Sequence, residues 1–305
     1  MPTSPAVANR PSSTHQVGRC GHVRHLLLLA ATFAGLAGAA GTAQAAIVVF
    51  ESAAANAAAL TPTRDAFRVA VGGGSVAGAH GDFGGLRREI NWDGVPAAFA
   101  DPLALPANFF NSNSPRGVEF SSATPGTTFA VSANVGGAAP ILFGFPADLQ
   151  TFSAQRLFAT IGSRTTDIHF FVPGTNTPAT TSAFGVVFVD VEDNTSTEFT
   201  LLEFFDATDS LIFSRHALPA GNQGLSFLGG MANAGERISH VRITTPDNFL
   251  ISNGVRANEN HDFVVMDDFI YAAPQALPAP ATWALVLLGL GGLIRKRRAA
   301  QLTKG

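Results

Sequence analysis

Cysteine is all but missing from this chain: Cys20 is the single one among 305 residues. From residue 46 onward no disulfide can form within the chain and no thiolate can act as nucleophile or metal ligand, so cysteine hydrolases and zinc–thiolate centres are excluded. Lysine is absent between residues 46 and 277, where 11 arginines face 22 acidic residues for a formal charge of −11. Nucleic acid calls for a basic surface and is excluded as a partner. An acidic surface favours divalent cations, or serves only solubility. Tyr271 is the lone tyrosine and Trp92 and Trp283 the only tryptophans, against 25 phenylalanines, which points to a Phe-rich core and not to an aromatic stacking surface. The histidines after residue 46 (His80, His169, His216, His240 and His261) lack zinc-site spacing, and no Gly-x-Ser-x-Gly elbow is present. The glycine run Gly72–Gly74 is followed by no helical pattern, which argues against a phosphate loop. A pair of glycosidase carboxylates stays open, because their separation is spatial.

What is present begins with two apolar ends. Arg19 and Arg24, with His22 and His25, precede the apolar run 26–40, and Gly41-Thr-Ala-Gln-Ala45 follows it. This is the plan of a signal peptide over residues 1–45, with Ala43 and Ala45 at the positions signal peptidase reads and cleavage before Ala46. A buried helix would also account for the run, but not for the small-residue ending and the polar switch after it. The leader is long, and translation starting downstream of Met1 would shorten it.

At the other end, Pro278 and Pro280 lead into an uncharged apolar segment, 281–294, that contains Trp283 and is closed by Arg295, Lys296, Arg297 and Arg298. Fourteen residues at about 1.5 Å each reach roughly 21 Å, short of the roughly 30 Å hydrocarbon core of a relaxed span. The segment therefore suits a transient stay in the membrane, with the basic cluster held on the cytoplasmic side and everything upstream outside. A short permanent tail anchor is the alternative, though it needs neither the prolines nor the tryptophan. Residues 277–305 resemble the PEP-CTERM sorting signal of Gram-negative bacteria, departing from it at Ala279, where an acid usually stands between the prolines. The resemblance implies export, processing by an exosortase-type protease, and release to the cell envelope, cell surface or exopolysaccharide matrix.

Between the ends, strand-like stretches recur every 8 to 15 residues from Val118 to Tyr271, separated by turn formers such as Pro173-Gly174, Asp193-Asn194, Asp206-Ala-Thr-Asp209, Pro219-Ala-Gly-Asn222 and Pro246-Asp-Asn248. In Phe184–Val191 both faces are apolar, the mark of a central strand; one face ends at Asp190, and Val187, Val189 and Val191 form the other. Ile238–Thr244 reads as half exposed. The stretch 53–60 reads as weak helix or coil, 61–107 as loop around one strand, and 146–157 as the only segment with a helical period. Together these predict an antiparallel β-sandwich, jelly-roll-like, over residues 46–276, with the option of a loop-rich part at 46–135 and a main sandwich at 136–276. The punctuation from Leu86 to Tyr271, including Arg88-Glu-Ile-Asn-Trp-Asp-Gly-Val95, Leu202-Glu-Phe-Phe-Asp-Ala207 and Val264-Val-Met-Asp-Asp-Phe-Ile-Tyr271, is similar to that of a recurrent uncharacterised bacterial secreted domain, a resemblance that implies no activity.

Two sets of residues are candidates for chemistry. Asp190, Glu192 and Asp193 in one acidic loop, with Asp267 and Asp268 near the end of the domain, offer oxygens to calcium, which takes 6 to 8 of them. Solvated turns and a structural hydrogen-bond role are the respective alternatives. Trp92 and Asp93 would suit a sugar, the ring stacking on a pyranose while the carboxylate binds hydroxyls. Alternatively, Trp92 closes one end of the core. The function classes that follow are a structural or carbohydrate-associated component of the cell surface, and a polysaccharide-active enzyme on the same sandwich.

Overall fold

The computed structural model describes residues 46–134, 141–195, 198–252 and 254–277. The leader, the sorting-type tail and their candidate residues Ala43, Ala45, Pro278, Pro280, Trp283, Arg295, Lys296, Arg297 and Arg298 lie outside the described residues. No helix among the described residues is long and apolar enough to cross a membrane.

The described chain is predominantly β, with two main sheets. The larger runs, in order, through Ile47–Ala54, Leu225–Ala232, Ala183–Val189 and Val265–Ala272, and beyond the last it divides into Arg87–Ile90 and Phe158–Ile161. The smaller runs Leu211–His216, Leu201–Phe205, His240–Thr244, Thr165–Phe170 and Val118–Ser121, all antiparallel. Alternation decides what lies between them: Phe184, Val186, Phe188, Phe269 and Tyr271 of the larger sheet share one buried cluster with Phe120, Ile168, Phe170, Phe204, Val241 and Ile243 of the smaller. The arrangement is sandwich-like, and its core is Phe-rich as the composition requires.

Residues 46–135 are not a separate loop-rich part. They supply Ile47–Ala54 and Arg87–Ile90 to the larger sheet and Val118–Ser121 to the smaller, so each half of the chain completes the other's hydrogen-bond ladder. A helix, Ala57–Val71, stands where weak helix followed by loop is expected. Its signals are local: Asn56 caps it by accepting from the Ala59 amide, and Gly72, at φ 92°, ends it. Pro62 inside it masks the pattern, yet Leu60 and Phe67, seven residues apart, face the sheet and are fully buried. They cover the outer face of the larger sheet with Val187, Val189, Phe227 and Ile270. Gly185 and Gly229 make room for them, since a Cβ on either would stand 2.9 or 3.1 Å from the Phe67 ring. By contrast, 146–157 is turn and irregular chain, with no helix.

The Ala183–Val189 strand is buried throughout, as expected of a central strand. Its alternation breaks at the end, where Asp190 adopts φ 72°. Val191 therefore returns to the inter-sheet core and does not follow Val187 and Val189 to the outer face.

Candidate functional site

The sequence places its five acidic candidates in one site; the fold puts them in two. Val265 pairs with Val189, which lays the start of one strand beside the end of the other, but beyond Met266 the register slips by one residue. Asp267 and Asp268 together oppose the single Val187 in a β-bulge. Both carboxyls thus turn to the helix side, where simple alternation would have sent one to each face.

Asp267 and Asp268 are buried and well partnered. Asp267 accepts from the backbone amides of Phe152 and Ser153, at 2.7 and 3.2 Å. The Ser153 hydroxyl lies 3.0 Å from Asp267 and 2.7 Å from Asp268. A hydroxyl has one proton to give, so the carboxyl pair supplies the other. Burial, then the neighbouring Asp268 charge, raises Asp267 well above the usual carboxylate range. Asp268 is raised by burial, opposed by the Ser153 bond and by Arg64, which stands 3.4 Å away on the helix. From Arg64 the charges continue through Asp65, Arg68 and Glu89 to Arg87. Arg87 also donates to the carbonyls of Gly72 and Gly74. A groove of about 800 Å³ runs beside this chain of ion pairs, lined by Arg68, Arg87, Phe83 and the glycine turn. The charges there pair with one another, Arg68 Nε alone keeping no hydrogen bond, and Asp267 and Asp268 find their partners within the chain.

Trp92 is 1% exposed and offers no face to a sugar. Its ring stacks on Phe158 at 4.3 Å and meets Phe110 and Phe269 edge-on, while its Nε1–H donates to the Asp267 carbonyl at 2.9 Å. This is the core-closing role. Asp93 likewise works locally, accepting from the amides of Gln155 and Arg156 and from the Asn91 side chain.

The other acidic loop opens into a cleft of about 330 Å³ at one end of the sandwich. Asp190, Glu192 and Asp193 line it with four acids missed in the sequence, Asp148, Glu198, Glu259 and Asp262. Two groups oppose them. Arg256 pairs with Asp148 at 2.8 Å and lies over the rings of Phe145 and Phe263, and His261 contacts Glu198 and Asp247. Asp190 and Asp262 form the floor, 3% and 8% exposed. Asp190 accepts from the Gln223 amide at 2.7 Å, and Asp262 from the Glu192 amide at 2.9 Å through one oxygen only. The other oxygen, Asp262 Oδ1, is buried with no hydrogen-bond partner. Both carboxyls are pushed up to about 7, first by burial and then by neighbouring charge: Asp262, Glu192 and Asp148 act on Asp190, and Glu192 and Asp193 act on Asp262. Among the described residues, no three acidic, histidine or cysteine side chains already stand in a metal-holding group. Asp262 was hidden because it lies far from Asp190 in sequence; the signal was Asn260-His261-Asp262, a polar turn just ahead of the strand that pairs with Ala183–Val189.

No described protein family matches the sequence, and no curated protein matches it. Among solved structures, 54% of the chain is similar to the CBM22-1–GH10 modules of Clostridium thermocellum endo-1,4-β-D-xylanase 10B complexed with xylohexaose, at 13% identity and a TM-score of 0.26. A further 11% identical match, also at 0.26, covers 58% of the chain and is to the enzymatically active domain of bacteriophage CBA120 tailspike protein 4. The chain spans 28% and 22% of those two proteins' lengths. Neither likeness is close enough to carry an argument.

Proposed function

We propose that the protein is an exported β-sandwich of jelly-roll type that acts at the cell surface or in exopolysaccharide as a carbohydrate-associated component, contacting its ligand through the acidic cleft. The cleft carries this reading: its lining is almost wholly carboxylate and amide, with Glu192, Asp193, Glu259 and Asn260 exposed at the rim as hydrogen-bond partners for hydroxyls. The jelly-roll assignment is supported by strand order. Taking Arg87–Ile90, Thr165–Phe170, Ala183–Val189, Leu201–Phe205, Leu211–His216, Leu225–Ala232, His240–Thr244 and Val265–Ala272 as the eight, and setting aside Ile47–Ala54, Val118–Ser121, Thr128–Val131, Phe158–Ile161 and the shorter strands as additions, the larger sheet runs first, eighth, third, sixth, and the smaller second, seventh, fourth, fifth.

A polysaccharide-active enzyme is the second reading, favoured by the Asp190 and Asp262 carboxyls, both near 7 and so able to share acid and base roles at neutral pH. Their depth weighs against it, because a glycosidic oxygen has to reach both. Glycan-array binding and a reducing-end assay on the full chain separate the two: binding without new reducing ends supports the module, and product formation lost in D190N supports the enzyme. If neither responds, both readings fall and a purely structural matrix role takes their place.

Export and sorting rest on the two ends of the sequence. The intact mass of protein recovered from the producing cell is expected to start at Ala46 and to lack the segment from near Pro278 onward. A full-length, stably membrane-embedded form as the dominant species contradicts the sorting proposal.

A further inference from the structure

We infer that the floor of the cleft is a calcium site, with Asp190 and Asp262 as its inner ligands and Glu192 closing it from the rim. Three observations carry this. Asp190 and Asp262 both line the cleft, 3% and 8% exposed, and among the described residues no arginine, histidine or amide side chain bonds to either. Asp262 lines the cleft with an Oδ1 that makes no hydrogen bond of good geometry among the described residues, the Glu192 and Phe263 amides being the backbone donors that act on this carboxyl, and a buried carboxylate oxygen left so carries a desolvation cost. Finally, the only guanidinium in the cleft, Arg256, is committed to Asp148 and to two phenylalanine rings.

A small cation reaches where a sugar ring does not. Calcium suits the place better than magnesium, because it accepts 6 to 8 oxygens in irregular geometry whereas magnesium demands a near-ideal octahedron. Glu192 gives its amide to Asp262 and its exposed side chain lines the same cleft, as does that of Asn222, so both are further oxygen donors of the lining. Asp267 and Asp268 have no part in it. The site does not depend on the carbohydrate reading, and its test uses no glycan.

The experiment is titration calorimetry and thermal melting of the full chain in a mild non-ionic detergent, with calcium chloride, magnesium chloride or EDTA at fixed ionic strength. Calcium is expected to raise the melting temperature by several degrees and magnesium by much less. In D262N the calcium increment disappears while the EDTA melting temperature holds or rises, because the amide needs no counter-charge; an unfolded variant would be told apart by its EDTA melt, and D190N then serves in its place. D193N, at the exposed rim, keeps most of the increment. Superimposable melts in calcium and EDTA overturn the site, as does an equal rise with magnesium or a full increment in D262N.

Discussion

Asp267 and Asp268 lie within the strand Val265–Ala272, Asp190 and Asp262 just outside the neighbouring ends of Ala183–Val189 and of that strand, and the chain treats the two buried pairs in opposite ways. Asp267 and Asp268 receive two backbone amides, a serine hydroxyl and an arginine. Asp190 and Asp262 are served by backbone amides alone, and Asp262 keeps one oxygen without a hydrogen bond of good geometry. All four are little exposed, Asp267 and Asp268 being enclosed while Asp190 and Asp262 border a cleft, so low exposure alone does not make a site. What distinguishes them is whether the protein supplies the donors. Where it does, the carboxyls knit the helix and the 152–153 turn to the sheet; where it does not, the donors or the charge must come from outside.

The comparison can be broken by substitution. Removing the anchor of the first pair has the largest effect. Trp92→Ala empties a fully packed ring position beside Asp267 and is expected to cost about 4 kcal/mol in urea unfolding, whereas Trp92→Phe gives up the bond to the Asp267 carbonyl and part of the ring; glycan binding by the folded Phe variant should be unchanged. Asp267→Ala strands the Phe152 and Ser153 amides and is expected to cost about 3 kcal/mol or more. A loss below about 1 kcal/mol would contradict the structural role assigned to this pair.

Acidity sharpens the contrast at the second pair. Asp190 and Asp262 hold protons in the folded protein up to about pH 7, which the unfolded chain gives up near its ordinary carboxylate range. The native state thus binds more protons across roughly pH 4 to 7, and stability falls as pH rises through that window. In EDTA the melting temperature is expected to drop between pH 5 and pH 8, and the D190N/D262N double variant should flatten that drop. A slope unaltered by both substitutions would place the linkage elsewhere. The smallest effect is that of Asp262→Asn on stability without calcium at pH 8: within about 1 kcal/mol, in the direction of gain, because Asn still accepts from the Glu192 amide and no longer buries a charge.

These contrasts also mark how far the sequence could be read. The alternating strands from Val118 to Tyr271 were visible, because a half-buried strand writes its faces into every second residue. The helix Ala57–Val71 was obscured by Pro62 and by its glycine-rich exit, though Asn56 and the Leu60/Phe67 spacing carried its signal. Asp190, Glu192 and Asp193 were recognisable as a polar strand end. Their partner Asp262 was not, because only the pairing of Val265 with Val189 brings it there. The bulge at Asp267 and Asp268 was equally hidden, since an extra residue in a ladder leaves no periodic trace. Trp92, conspicuous among polar neighbours, sits at φ 67° with its ring turned inward, so a one-dimensional view of its surroundings misplaced it.

The central claim is that the fold satisfies one aspartate pair and leaves the other for a cation. Carbon NMR of aspartate carboxyls, assigned at Asp190 and Asp262 by substitution and followed from pH 4 to pH 9 with and without calcium, tests it most directly. Both carboxyls are expected to titrate near 7 in EDTA and to lose that titration when calcium is added. Titration in the ordinary carboxylate range, or a curve that calcium leaves unchanged, would contradict the account.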